Sequence, residues 1–474
     1  MKNILIAIRS IFKKGRHNVM KIVSLGIGLA VGLVLIAKVY FEQSYDDFYP
    51  DRDRVYQVWA KYQQNGGELK DYPQTSGGIA PTMQQQIPEI ETVTRYTSFG
   101  DWTFTMTDTK MKYSGRCIIA DSCFFDILPR PMLIGNAKEV LSTPMYVLIS
   151  SRIAKNIGGD VIGKNFTVDN SPGRTMTIGG VFEEVPENSH SRYDVIVSMA
   201  SAGRFMWEGS PTNMLGNDRY ISYVKLHKGV NPLALEEQVR TFVNSYFPPE
   251  EQQKVGLSID FSFHKLDNLH KELPQVKRMT WILSLLAFAL IFTAVMNYIL
   301  IVISSIVNRS KEVAVHKCYG ASENNIHGMM FGEALVHIVL SLILALLLIL
   351  AFRGTVEELL ATSLDSLLLS NGSLVLLGIC ILVFFVSGFM PGSLYARIPV
   401  ASAFRNYREN KRIWKKALLL VQFVATGFLV TMLVFVARQY TFMVNDRPGY
   451  AYENLAYCGL AGVDSTSRAK ILDE

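Results

Sequence analysis

Five windows of about 20 apolar residues, each long enough to cross the hydrocarbon core of a bilayer, fix most of what this chain can fold into. They are 22–41, 279–305, 329–352, 372–393 and 417–437, and each holds at most one or two strongly polar side chains. Composition agrees: the 474 residues are 19% charged, against roughly 25% for an ordinary soluble protein, and the mean hydropathy is +0.20. Disorder is excluded, and a purely soluble enzyme is disfavoured. The net charge of +6 would suit a nucleic-acid binder if it were spread over a soluble surface. Here the basic residues flank the apolar windows, where they orient a membrane protein, so no nucleic-acid partner is expected. Five cysteines are too few for a disulfide scaffold.

The flanks set the topology. Lys2, Arg9, Lys13, Lys14, Arg16 and Lys21 precede the first window, and Arg397, Arg405, Arg408, Lys411, Arg412, Lys415 and Lys416 lie between the fourth and fifth. The positive-inside rule places both in the cytoplasm. The outer loop 353–371 carries Glu357, Glu358 and Asp365 against Arg353, so the N-terminus is inside and the chain leaves the fifth window outside. Window 22–41 is too long for a signal-peptide core and ends without a small-x-small site, so it reads as an uncleaved anchor, with Lys38 snorkelling at its outer end. Residues 1–21 place Ile4, Leu5, Ile8, Ile11 and Phe12 on one helical face and lysines and arginine on the other. That pattern predicts an amphipathic helix on anionic membrane lipid; a solvated extension of the first span is the alternative.

Between the first two spans, residues 42–278 are long enough for one large or two small domains of soluble α+β composition. Alternating runs at 166–168, 175–178 and 193–197, separated by turn signals, predict consecutive antiparallel strands, and helices are expected at 80–87 and 231–247. Gly158-x-x-x-x-Gly163-Lys164-Asn165 imitates a nucleotide-binding loop. It lacks the hydroxyl that would hold Mg²⁺, lies on the outer side, and runs into a strand pattern where a phosphate loop needs a helix. HExxH, GxSxG and CxxC are all missing, so no catalytic residue, metal ligand or cofactor-binding residue is assigned and no enzyme is expected. Cys117 and Cys123 could be bridged or could be two separate core residues.

After the second span the chain reads Asn308-Arg309-Ser310-Lys311-Glu312-Val313-Ala314-Val315-His316-Lys317-Cys318-Tyr319-Gly320-Ala321-Ser322. Glu312 and His316, and Val313 and Lys317, are four apart on a short helix; Gly320 is free to end it in a left-handed conformation and Ser322 is placed to cap the next. A solvated loop helix would also fit these residues alone. Glu333 and His337, one turn apart in the third span, form an intramembrane ionisable pair; a functional role and a structural one, in which Glu333 reaches headgroups or the preceding cytoplasmic helix, stand open for them.

The stretch from Arg309 to Ser322 resembles the R-x-x-E-(I/V)-(A/G)-(I/V)-(R/H)-K-x-x-G-A-(S/T) pattern of the FtsX/MacB-type permeases of ABC transporters. Two other landmarks agree. Glu42-Gln43-Ser44-Tyr45-Asp46 with Arg54-Val55-Tyr56-Gln57-Val58 looks like that family's entry to its outer domain. Val161-Ile162-Gly163-Lys164 with Gly179-Gly180-Val181-Phe182 looks like the signature of its periplasmic core. The resemblance implies a helical transmembrane bundle of about five spans carrying a large α+β extracytoplasmic domain, in a bacterial inner membrane. It divides the chain into a cytoplasmic amphipathic helix (1–21), five spans at the windows above, a periplasmic core domain (42–278), a coupling helix (306–328), an outer loop (353–371), a basic linker (394–416) and a tail (438–474). It further implies that Arg309, Lys311, Glu312, His316, Lys317, Gly320 and Ser322 contact a separate ATP-binding subunit, which holds the ATP. His316 stands where the family often has Arg, leaving Lys317 as the fixed cation.

The fifth span repeats the first at an offset of 400: Leu29/Leu429, Leu33/Leu433, Val34/Val434, Ala37/Ala437, Tyr40/Tyr440 and Asp46/Asp446 coincide, and Lys38 is matched by Arg438. In longer relatives this span opens a second half, so 438–474 is expected to be the start of a truncated second periplasmic domain. The expected function is the permease subunit of an ABC exporter, for efflux or for lipoprotein or peptide handling. A second permease half, a periplasmic adaptor and an outer-membrane channel are expected as further partners. The alternative is a mechanotransmission subunit that controls a cell-envelope hydrolase or sensor kinase and transports nothing.

Overall fold

The computed structural model describes residues 17–168, 171–396, 398–404, 413–445 and Lys470. Most of the expected amphipathic helix, the linker residues Arg397, Arg405, Arg408, Lys411 and Arg412, and the tail beyond Asn445 apart from Lys470 lie outside the described residues. The rest divides into two units, one running through Gln43 and again from Pro274, the other Ser44–Leu273.

In the first unit five helices are long and apolar enough to cross a membrane: Asn18–Gln43, Pro274–Ser304, Glu323–Ala351, Ser373–Ala396 and the stretch Lys416–Asn445. With the α+β domain inserted between the first and second, this is the expected fold class. The first span packs against both the second and the third. Small residues allow it: a Cβ on Gly28 would collide with the Ala294 methyl, and one on Gly32 with the Ile291 side chain, both on the second span, while Gly26 faces Leu344 of the third. Without water to drive apolar surfaces together, close backbone approach of this kind is what associates helices in lipid.

Lys38 does not snorkel. It is 7% exposed, its Nζ lies 2.7 Å from Glu42 Oε1 and donates to Thr362 Oγ1 at 2.8 Å. The reason lies in the 353–371 connection, whose short helix Leu364–Leu368 packs on the first span and covers its end. The fifth span, similar in sequence to the first, differs in environment: Leu433 and Phe435 are exposed, and Gln422 is its buried polar residue.

The second unit is built on a mixed sheet of eleven strands among the described residues: β1 (Val55–Gln64), β2 (Lys70–Tyr72), β3 (Ile90–Met106), β4 (Lys112–Ala120), β5 (Met132–Ile134), β6 (Tyr146–Ser150), β7 (Asn165–Val168), β8 (Ser171–Phe182), β9 (Val195–Ser198), β10 (Ile221–Leu226) and β11 (Leu257–Lys265). Their order is β11-β1-β10-β3-β4-β9-β6-β8-β5, with β2 beside β1 and β7 beside β3 and β8. The runs at 166–168 and 175–178 fall in β7 and β8, which pair antiparallel. The run at 193–197 leads into β9, which is not the next neighbour: β6 lies between, parallel to β8 and antiparallel to β9. The helix Ser151–Ile157 begins the crossover that parallel pairing requires. Helices Ile79–Gln86 and Glu236–Tyr246 supply Met83, Val239, Phe242 and Val243 to one core with Val58, Ala60 and Val224. The loop that imitates a nucleotide site runs into β7, a strand, and Cys117 and Cys123 are both free thiols.

Polar contacts fasten the two ends of this domain. Asp46, fully buried and at φ +57°, accepts from Ser189 Oγ at 2.6 Å and meets His190 Nδ1 at 2.5 Å, while Tyr45 stacks on His270. At the start of β1, Arg54 forks between Asp51 (2.9 Å) and Glu91 (2.6 Å), and Lys225 reaches Asp51 at 2.6 Å.

Two predictions follow from the packing and from this cluster. Gly28→Val forces the first two spans apart and is expected to cost about 1–3 kcal/mol, as overpacking does. Thermal unfolding in detergent measures the loss, with Gly378→Ala, whose added methyl meets nothing within 4 Å, as the neutral control. Hydrogen bonds from Lys225 and Arg54 hold the Asp51 carboxyl below its ordinary pKa, and that from Arg54 does the same for Glu91. Their stabilisation is therefore complete above the unfolded carboxylate value of about 4 and is lost as pH falls below it through the folded value. Acid titration of the melting temperature should show a shallower fall below about pH 4 in Asp51→Asn than in the natural chain.

Candidate functional site

The second span ends at Ser304, and after Ser305 the chain enters the helix Ile306–Cys318. Ser305 Oγ donates to Val302 O at 2.5 Å and lies 3.2 Å from the Tyr395 hydroxyl, so the junction is tied to the fourth span. The helix ends where the sequence places the stop. Gly320 sits at φ +86°, Gly320 N donates to Lys317 O and Ala321 N to His316 O, both at 3.0 Å, which is the paired bonding of a Schellman cap. Ser322 then accepts from Asn325 N and caps the third span.

This helix has two distinct faces. Arg309, Ser310, Val313 and Ala314 are buried, with the short helix Val400–Phe404 packed against them. Lys311, Val315, His316 and Tyr319 are exposed, Tyr319 at 88%. Of the seven expected contact residues, Lys311, His316, Gly320 and Ser322 are on the accessible side and Glu312 is half-buried. Arg309 and Lys317 turn inward. Lys317 Nζ donates to Ala396 O at 2.7 Å and Ile398 O at 2.9 Å, because the carbonyls that end the fourth span need donors and attract a cation.

Arg309 turns inward to meet a carboxylate. Its Nη2 lies 2.8 Å from Glu333 Oε2 on the third span, and its guanidinium lies over the Tyr395 ring. Lys21, fully buried near the start of the first span, places Nζ 3.7 Å from Glu333 Oε1 and donates to Asn18 Oδ1. One acid thus stands against two cations from two other elements, all three side chains less than one-tenth exposed. His337, one turn on, faces the Tyr298 hydroxyl at 3.2 Å. The expected pair is therefore brought into one buried layer, where Glu333 reaches the helix at 306–318 and His337 reaches the second span. Sequence reading missed Lys21 as a partner, since it counted only as a basic flank. No local signal marks it, since a lysine that flanks a span can equally reach headgroups.

The arrangement ties three elements together; among the described residues no group of three or more His, Cys, Asp or Glu could hold a metal ion. Buried ion pairs of this kind impose a fixed geometry on the elements that carry them, and removing one member leaves charge uncompensated.

Comparison with known proteins bears on both units. Residues 20–242 match the MacB-like periplasmic core domain and residues 284–400 the FtsX-like permease C-terminal domain. No curated protein matches the chain. Solved structures similar to it include a domain of a candidate permease protein from Porphyromonas gingivalis, 33% identical, covering 46% of this chain and 91% of that one with a TM-score of 0.42. The periplasmic region of MacB from Actinobacillus actinomycetemcomitans is 14% identical over 44% of this chain and 87% of that one, TM-score 0.30. The extracellular domain of the noncanonic ABC-type transporter YknZ from Gram-positive bacteria is 11% identical over 43% and 98%, TM-score 0.31.

Glu333→Gln takes from Lys21 and Arg309 the carboxylate they share, leaving Arg309 with Glu312 at 3.7 Å, and is expected to cost about 3–5 kcal/mol. Thermal unfolding of the detergent-solubilised chain measures it. The double variant Arg309→Gln with Glu333→Gln should recover part of the loss, and strict additivity of the two would show that they do not interact.

Proposed function

This chain belongs to the FtsX/MacB-type permeases of ABC transporters, and from that premise we propose that the helix Ile306–Cys318 takes up force from a separate ATP-binding subunit and passes it to the spans. The observation that carries this reading is the division of the helix into an exposed face and a face bonded to the bundle. A load applied at Lys311, Val315, His316 or Tyr319 reaches the third span through Arg309 and Glu333, and the fourth through Lys317 and the carbonyls of Ala396 and Ile398. The spans then move the periplasmic domain. ATP is bound by the partner, the N-terminus and the coupling helix are cytoplasmic, and the working unit contains two permease halves.

Export, efflux or the handling of lipoproteins and peptides uses this device, and so does the control of an envelope hydrolase or sensor kinase. The envelope proteins that co-purify with the complex separate the two: a periplasmic adaptor and an outer-membrane channel belong to export, a hydrolase or kinase to signalling.

Exposed aromatic and charged side chains at the centre of an interface carry most of its energy. Tyr319→Ala combined with Lys311→Glu is therefore expected to lower recovery of the ATP-binding subunit in detergent pull-downs about tenfold, with the permease's own melting temperature unchanged. Lys317→Met should lower both recovery and melting temperature, because it strips two donors from the end of the fourth span. Undiminished recovery in the first variant would exclude this face as the docking surface.

A further inference from the structure

The inserted domain contains a cavity of about 390 Å³ lined by Arg116, Arg130, Arg152, Glu184, Arg192 and Asp194, with Tyr193 beside them. These residues come from β4, the segment before β5, the start of helix Ser151–Ile157, the exit of β8 and the entry to β9. Four guanidinium groups against two carboxylates leave the cavity positive. Both acids are already engaged: Arg152 Nε lies 3.3 Å from Glu184 Oε1, and Arg152 Nη2 is 2.5 Å from Asp194 Oδ1, while Asp194 Oδ2 accepts from Arg116 N at 2.9 Å. Arg116 and Arg192 are exposed, and neither guanidinium pairs with a carboxylate among the described residues.

Arg130 is different in kind. It is 6% exposed and its guanidinium lies within 6 Å of the rings of Phe124, Phe125, Phe182 and Tyr193. Ring faces attract the cation but accept no hydrogen bond in the plane of the group. Its Nε and Nη2 are buried and have no hydrogen-bond partner. These two nitrogens form the side edge of the guanidinium, the fork whose parallel N–H groups match the two oxygens of a carboxylate or phosphate. A buried cation with its fork unfilled is costly, and an anion seated on it removes that cost in a place where water does not compete.

We propose that this cavity binds a small oxyanion-bearing solute, a carboxylate or a phosphate, held side-on by Arg130, with Arg116 and Arg192 drawing it in. The site is independent of the coupling helix and of the nucleotide bound by the partner. The bound group touches the 184–194 segment, which also carries Ser189 and His190, the partners of Asp46 at the entry to the domain.

The test uses the full chain in detergent, titrated separately with inorganic phosphate and with succinate at ionic strength held constant by sodium chloride. Thermal shift and calorimetry read the result. At least one of the two is expected to bind saturably, and which one does identifies the source as a phosphate ester or a carboxylate. A rise in melting temperature that stays linear in concentration is the general effect of an excluded salt and counts against the site. Arg130→Gln is expected to abolish saturable binding. The double variant Arg116→Ala with Arg192→Ala, at exposed positions that do not threaten the fold, should weaken it at least tenfold and decides the matter if Arg130→Gln does not fold. No saturable binding of either probe, or binding unchanged in a folded variant, overturns the proposal.

Discussion

One carboxylate, Glu333, determines how the membrane unit is assembled. A charge within or near the bilayer is costly alone and is retained where it meets its opposite inside the protein. Glu333 meets two, Arg309 from the helix after the second span and Lys21 from the first, so three elements distant in sequence must converge within a few ångströms. The glycines of the first span serve the packing that goes with it: Gly28 and Gly32 let the second span come close, and Gly26 faces Leu344 of the third. At the other end of the same span Lys38, Glu42 and Thr362 repeat the principle. The first span is therefore fixed at both ends by buried ammonium groups.

The two faces of the helix Ile306–Cys318 follow from the same cause. Its interior side is committed to structure, since Arg309 neutralises Glu333 and Lys317 satisfies the carbonyls that close the fourth span. What remains exposed is Lys311, Val315, His316 and Tyr319, a mixed surface with an aromatic at its end. The positions most strongly marked in the family pattern thus divide between holding the helix in place and presenting it.

Much of this was legible in the residues. A run of about 20 apolar side chains is a local property with one physical solution, so the five spans were readable without any knowledge of contacts. The stop at Gly320 and the cap at Ser322 are equally local, decided by backbone conformation and one hydroxyl. The directions of Arg309, Lys317 and Lys38 were not readable. A long basic side chain beside a membrane can reach headgroups or turn back on a partner, and the choice depends on residues up to some three hundred positions away. The insertion of β6 between β8 and β9 was hidden for a related reason: strand patterns report which face is buried, not which neighbour lies alongside. The arginine-lined cavity is the extreme case, because its side chains come from separate segments that no spacing rule connects.

The pairing of Lys21 with Glu333 also sets an order of events during synthesis. Lys21 enters the membrane with the first span, whereas its counter-ion is translated roughly 300 residues later, after the whole inserted domain, a delay of about 15 to 60 seconds at ordinary elongation rates. Throughout that interval the ammonium is without the Glu333 carboxylate, and Asn18 together with water or lipid headgroups has to solvate it. Release of the nascent chain before Glu333 emerges would leave a first span that lacks the carboxylate shared by Lys21 and Arg309 and, with it, the contact that joins its start to the third span.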